Sequence, residues 1–187
     1  MTGGALPPPG DVVDLFRRVL GDDAPQPGED VAALLVALHH NNLEQWRRED
    51  ITRDPGAGDA VVAAAKRDID RLNSTRHALV EAIDAAVADA AEQNTSAPPT
   101  TESPAMVFDR LSVLTIRIHY TERAVVAADD DGRYAARLVE LQQQLAHLQL
   151  ALDGLFDDLR TGRRRFVPYR SLKLYGSAGT SDEAAAP

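Results

Sequence analysis

The chain has 187 residues, of which 44% are hydrophobic and 5% aromatic, so it can bury a core built mainly from aliphatic side chains. Its net charge of −9 argues against a nucleic-acid partner bound by bulk electrostatic attraction. There is no cysteine, which excludes disulfides, a thiolate zinc site and a cysteine nucleophile.

The N-terminal part predicts a disordered lead-in followed by a short helix. Residues 1–10 are rich in Pro and Gly and lack the basic and apolar segments of a signal peptide. No apolar run in the chain reaches the roughly 18 residues of a membrane span, so we expect a cytoplasmic protein without one. Asp11 can cap the short helix, and Gly21 is its expected end.

One face of the second helix, which is predicted from Asp30 to Thr52, changes from apolar to polar residues halfway along its length. Its apolar stripe runs to Leu38, and helical spacing then brings polar groups onto the same face. An unpaired polar group in a core costs roughly 1–3 kcal/mol, so this face predicts a polar site between helices. The residues that carry it are His39, Asn42, Trp46, Glu49 and Arg53.

Three further long helices complete the pattern. The third, from Asp59 to Ala91, has an apolar seam with three- and four-residue spacing that Arg76 interrupts. A linker ends with Ser103 as N-cap and Pro104 as the first residue of the fourth helix, which runs to about Ala128. The fifth, from Arg133 to Arg160, repeats leucine in heptad phase and is followed by Gly162.

These elements predict an all-α fold, an up-down bundle of four long helices with a short extra N-terminal helix, in a single domain over residues 11–176. We expect the second, third and fourth helices to bury the Leu138–Leu159 seam within the monomer. A homo-oligomer formed through that seam is the alternative. Residues 163–175 mix basic and aromatic side chains, whereas 177–187 have nothing to bury and should be disordered.

Four segments of the chain resemble a known family. They read LEQWRREDITRDP, KRDIDRLNSTRHALVEAID, TESPAMVFDRLSVLTIRIHY and YRSLKLY, within residues 30–176. The resemblance is to the bacterial family catalogued as domain of unknown function 4254, whose members read QWxxEDxxRdP, KRxIDxxNxxR, TxSPxxxxDRLSIL and YKxxKMYND. Here Leu174 stands for Met, and Gly176 and Ser177 replace Asn-Asp. Members are often encoded near glycosyltransferases, which implies a role in cell-surface glycan biosynthesis.

Two function classes fit this pattern. In the first, a polar pocket between helices binds a small anionic ligand held by Arg76, with Glu49 or Asp109 as acid/base if a reaction occurs. In the second, the protein is a non-enzymatic accessory or interaction protein whose polar interior is purely structural. The sequence does not say whether the protein is an enzyme, and the cofactor is unknown. The ligand-binding candidates are His39, Asn42, Trp46, Glu49, Asp50, Arg53, Lys66, Asp70, Asn73, Arg76, Asp109, Arg110, Tyr169 and Lys173.

Several candidates have a structural alternative. Glu49 with Arg53 can form a surface ion pair, and Arg76 can close a buried network with Glu49, Asp70 or Asp109. Trp46 can pack rather than stack on a ligand. The three arginines of 163–165 can bind an anion or cap a helix terminus.

Two kinds of site are not expected. A metal site is not favoured, because the helices lack the E-x-x-H pattern of di-iron bundles. Ser112 as a nucleophile would need a histidine base, and its flanking residues form no G-x-S-x-G elbow.

Overall fold

The computed structural model describes residues 7–21, 30–90, 92–127 and 132–171, which form five helices. These are α1 (Pro9–Leu20), α2 (Val31–Arg53), α3 (Asp59–Ala90), α4 (Pro104–Ala127) and α5 (Arg133–Arg160). The described residues contain no strand, only an isolated bridge between Pro99 and Arg165. The all-α prediction is therefore confirmed, including the short N-terminal helix. None of the helices in these ranges is long and apolar enough to cross a membrane.

The helix ends follow the local signals in the sequence. The Asp30 side chain accepts a hydrogen bond from the Ala33 amide at 3.1 Å, which caps α2. Gly162 adopts φ +68° just after α5, a conformation that favours glycine. One boundary was wrong: α1 begins at Pro9 rather than after Asp11, because Pro has its φ preset for a first helical turn.

The expected lead-in and tail fall mostly outside the described residues. Residues 1–6 belong to the lead-in, and residues 172–187 include the C-terminal tail and Lys173. The predictions for these segments stay predictions.

α4 lies at the centre of the bundle. α2 and α3 pack against each other and against α4, while α5 lies along α4. α1 fills the space between α2, α4 and α5. We had expected α2, α3 and α4 to cover the leucine seam of α5. Within the described residues that expectation is wrong for α2 and α3, because the helices packed on α5 are α4 and α1.

Only part of the α5 seam is therefore fully enclosed. Leu141, Leu145, Leu152 and Leu159 are buried in the core, whereas Leu138, Leu148 and Leu155 are half-buried at its edge. On the α1 side, Phe16 completes the core with no exposed surface. On the α3 side none of the described helices packs on α5 in this way, and Leu148 and Leu155 line an open space there.

After α5 the chain turns back over α3 as an extended segment, residues 163–171, which we call the C-terminal strap. Phe166 is buried, and its amide donates to Gln93 Oε1 at 2.8 Å. Further along, the Tyr169 amide donates to Asp84 Oδ2 at 2.8 Å, and the Ser171 amide donates to the Glu81 carboxylate. The strap thus runs along α3 from its C-terminal end towards Arg76.

Candidate functional site

Arg76 and Asp109 form the central contact between α3 and α4. Arg76 Nε donates to Asp109 Oδ1 at 2.8 Å, and Nη2 donates to Oδ2, so the pair is bidentate. The Asp109 side chain is 12% exposed and that of Arg76 30%. Bidentate carboxylate pairing compensates a guanidinium that interrupts an apolar seam. The prediction that Arg76 faces inward onto a carboxylate is confirmed, with Asp109 as that carboxylate.

A chain of hydrogen bonds continues from Asp109 into the core. Asn42 Nδ2 donates to Asp109 Oδ1 at 2.9 Å and to Ser112 Oγ at 3.0 Å. Ser112 Oγ lies 2.8 Å from His39 Nδ1. The network therefore links three helices: Arg76 on α3, Asp109 and Ser112 on α4, and Asn42 and His39 on α2. Sequence reasoning had not placed Ser112 in it.

His39 ends this network in a closed environment. It has no exposed surface, and its ring stacks on Phe16 of α1 with centroids 4.5 Å apart. The pKa of His39 falls from 6.5 to about 3, chiefly because burial penalises the charged ring, with His40 adding to the effect and the Phe16 backbone opposing it. His39 is therefore neutral at pH 7.

The His39–Ser112 pair is not arranged for nucleophilic catalysis. Both residues have no exposed surface, so no substrate reaches Ser112 in this conformation. Within the described residues no carboxylate contacts the His39 ring, so no acid orients it as a catalytic base requires. Asn42 Oδ1 is also buried without a partner. The pair serves as part of the buried network.

The acidic candidates at the end of α2 lie elsewhere. Glu49 accepts a hydrogen bond from Arg53 at 3.2 Å on the surface, and Arg53 also lies 3.9 Å from Asp50. The expectation that Glu49 shares the level of Arg76 is wrong, because Glu49 is nearly two turns beyond Asn42 and pairs with its own helix.

The remaining candidates on α2 and α3 are spread along the α2–α3 face and the surface. Asn73 accepts from Gln45 at 3.2 Å, and Trp46 stacks on Tyr120 with centroids 5.4 Å apart. Lys66 and Asp70 are exposed, and the Asp70 carbonyl accepts a hydrogen bond from Ser74. None of these four side chains makes a hydrogen bond to Arg76 or Asp109.

The strap brings Tyr169 to α3, where its partner is His77, the residue that follows Arg76 in sequence. The Tyr169 hydroxyl lies 2.8 Å from His77 Nδ1, and the two rings stack with centroids 5.7 Å apart. The strap is anchored by Asp84, a carboxylate with no exposed surface that sequence reasoning missed. Asp84 accepts from the Ala105 amide in the first turn of α4 at 2.9 Å and from Tyr169, so it joins α3, α4 and the strap.

The open space beside Arg76 is a groove of about 1110 Å³ between α4 and α5, which we call the α4–α5 groove. Its sides are the successive inner turns of both helices, from Val107 to Arg117 and from Gln144 to Asp158. The loop of residues 99–102 and the start of the strap close one end. Its apolar floor consists of Val107, Val113, Leu114, Leu148, Ala151 and Leu155.

The lining of the α4–α5 groove is basic although the chain as a whole is acidic. It carries five arginines and three carboxylates, in a protein of net charge −9. These are Arg76, Arg110, Arg117, Arg163 and Arg164, with Glu102, Asp157 and Asp158.

Only some of these arginines have a carboxylate partner. Arg110 pairs with Glu102 at 2.6 Å, and Arg163 pairs with Asp157 and Asp158. The hydrogen bond from Arg163 lowers the pKa of Asp157. Arg117 and Arg164 have no ion-pair partner within the described ranges.

The described part of the chain places no group of three or more His, Asp or Glu side chains where they could hold a metal ion. The site therefore consists of a buried polar network that reaches the surface at Arg76, beside a basic groove with an apolar floor.

The chain belongs to the family described as Protein of unknown function (DUF4254), which matches residues 32–167. The matched region contains α2 to α5 and the beginning of the strap. No curated protein and no solved structure matches the chain. The family assignment is confirmed, and it assigns no activity.

Proposed function

We propose that the protein binds a small anionic ligand in the α4–α5 groove, at Arg76 and Arg110 of its lining. The observation that carries this proposal is the position of Arg76. Its guanidinium is fixed by the buried Asp109, yet its side chain keeps 30% exposure and lines the groove. A cation that is oriented in advance loses little freedom when an anion binds.

The surrounding groups suit an anion. Arg110 of α4 lines the same groove and pairs only with Glu102 among the described residues, so an incoming phosphate or carboxylate can compete for it. Thr100 and Thr101 belong to the same end of the groove and offer hydroxyl groups nearby. Arginine is the side chain best matched to such oxyanions, because its planar fork donates two parallel hydrogen bonds.

This location differs from the inter-helix pocket expected from the sequence. His39, Asn42 and Asp109 are buried and are linked through Ser112 and Arg76, so they support the site from behind instead of lining it. Asp109 orients Arg76 and is a positioning residue in this proposal. The role of Glu49 as an acid/base is not part of it.

A thermal-shift screen of the full chain with phosphate, pyrophosphate and sugar nucleotides tests the proposal. A ligand present at 100 times its dissociation constant stabilises by about 2.7 kcal/mol, a shift of roughly 5–10 °C for a chain of this length. Arg110→Gln should abolish the shift. Arg123→Gln removes the same charge from an exposed position of α4 outside the groove and should leave the shift intact.

A shift that survives Arg110→Gln, or no shift with any of these anions, overturns the proposal. The second result favours the other function class, an accessory protein in which Arg76, Asp109 and Asn42 only fix the packing of the helices. A cytoplasmic location and a role in cell-surface glycan biosynthesis, which the family resemblance implies, complete the proposal.

A further inference from the structure

The α4–α5 groove is much larger than an inorganic anion requires. Its volume of about 1110 Å³ slightly exceeds the roughly 300–1,000 Å³ of sites that bind a drug-sized organic molecule. On α5 the lining runs from Gln144 to Asp158, which corresponds to roughly 21 Å along the helix axis. The basic end around Arg76 and Arg110 occupies only part of that length.

The floor of the groove is apolar, although its walls also carry Arg117, Gln144 and His147. Leu148 and Leu155 of α5 face Val113 and Leu114 of α4 across the floor. Between Leu148 and Leu155, α5 contributes the small residues Ala151 and Gly154 to the lining, and a Cβ built on Gly154 meets no atom within 4 Å. The half-buried leucines of this floor leave apolar surface in contact with water. An apolar ligand that covers them would remove that surface from water, which is favourable.

The opposite flank of α4 and α5 shows how such a floor is normally covered. There α1 packs into the angle between the helices and buries Val12, Val13 and Phe16. On the α3 flank the described residues supply no equivalent element, and the rim is basic instead. This combination of an apolar floor with a lining in which arginines outnumber carboxylates selects an occupant that is apolar and anionic.

We propose that the groove binds a single-chain amphipathic anion, with its phosphate or carboxylate head at Arg76 and Arg110 and its aliphatic body along Leu148 and Leu155. This inference rests on the proposed function and specifies the ligand class of the same site. The ligand is one free molecule that lies in the concave groove, because an extended lipid surface could not reach the floor between two helices.

Isothermal titration of the full chain below the critical micelle concentration tests the inference, with inorganic phosphate, octyl phosphate and octyl glucoside as probes. A fully buried methylene raises affinity about fourfold, so octyl phosphate should bind at least about 30-fold more tightly than phosphate. Octyl glucoside has the same chain and no charge, and it should bind much more weakly than octyl phosphate.

Two variants at neighbouring positions show where the octyl chain of the ligand binds. Ala151→Trp fills the middle of the groove and should remove most of the gain in affinity that octyl phosphate shows over phosphate on the same variant. Leu150→Trp places the same ring on a 71% exposed position outside the lining and should keep the full gain. Because both sites are exposed, neither variant should disturb the core.

The outcomes separate the two proposals. If phosphate binds and the octyl chain adds no affinity, or if Ala151→Trp leaves that gain in affinity intact, the proposal of an amphipathic ligand is overturned. The proposal of an anion site is then retained. Absence of binding by both phosphate and octyl phosphate overturns both. A wild-type dimer that Ala151→Trp converts to a monomer in sedimentation would show that a second copy of the chain occupies the groove.

Discussion

Replacing Arg76 with Leu removes the cation that compensates the charge of Asp109. The exposure of both side chains and their remaining partners determine how much stability is lost. Breaking a buried ion pair by deleting one partner costs about 3–5 kcal/mol. Here Arg76 keeps 30% exposure and Asp109 12%, and Asn42 continues to donate to Asp109, so solvent and the amide offset part of the loss. We expect a decrease in the free energy of unfolding of about 2–4 kcal/mol, or roughly 5–15 °C in Tm.

Urea denaturation measures this loss, and two further variants show its origin. Arg53→Leu is the same substitution at a surface ion pair with Glu49 and should change stability by no more than about 0.5 kcal/mol. Replacing Arg76 and Asp109 together with Leu should recover much of the loss, because no uncompensated charge remains. Wild-type stability of Arg76→Leu, or a double variant that loses the sum of both single effects, would refute this account of the pair.

Three other predictions follow from the core and the strap. Since the folded-state pKa of His39 is about 3 and the unfolded value 6.5, stability falls as pH drops below about 6.5. Lowering the pH from 7.5 to 5.5 should reduce the free energy of unfolding by about 1.4 kcal/mol through His39. Denaturation experiments should show this loss in His40→Gln but not in His39→Phe. Asp84→Ala leaves the buried Ala105 amide and the half-buried Tyr169 amide without their acceptor, so trypsin should cleave the C-terminal strap faster than in the wild type. Asp89→Ala, an exposed control on α3, should be cleaved at the wild-type rate, and equal cleavage of the two variants would contradict the anchor. Sedimentation should give a monomer of 20.2 kDa, and a dimer that Leu148→Glu dissociates into folded monomers would contradict the intramolecular seam.

The helices were predictable because their signals are local. Asp30, Ser103 with Pro104, and Gly162 each act within one turn of the helix end that they mark. Arg76 was predictable for a different reason, since a guanidinium on an apolar seam requires a carboxylate. The sequence offered three carboxylates and could not choose among them, because the choice depends on how α3 and α4 are aligned.

The features that sequence reasoning missed depend on long-range packing. Asp84 is adjacent to the core residue Ile83 and shows no pattern of its own, and its partners are 21 and 85 residues away. Glu49 was wrongly placed because the polar stripe of α2 was extended beyond Asn42, where the helix leaves the buried network. At that point Glu49 pairs with Arg53 of its own helix. The α4–α5 groove exists because α1 covers only one flank of these helices, which no local signal encodes.

The most direct test of the anion site is a site-resolved titration of the full chain with pyrophosphate, followed by NMR of the arginine Nε–H groups. We expect saturable shifts at Arg76 and Arg110. Arg48 and Arg53, which pair with Glu44 and Glu49 on α2, should not shift. Shifts confined to Arg48 and Arg53 would place the ligand at the end of α2. The absence of any saturable shift would contradict anion binding at the groove.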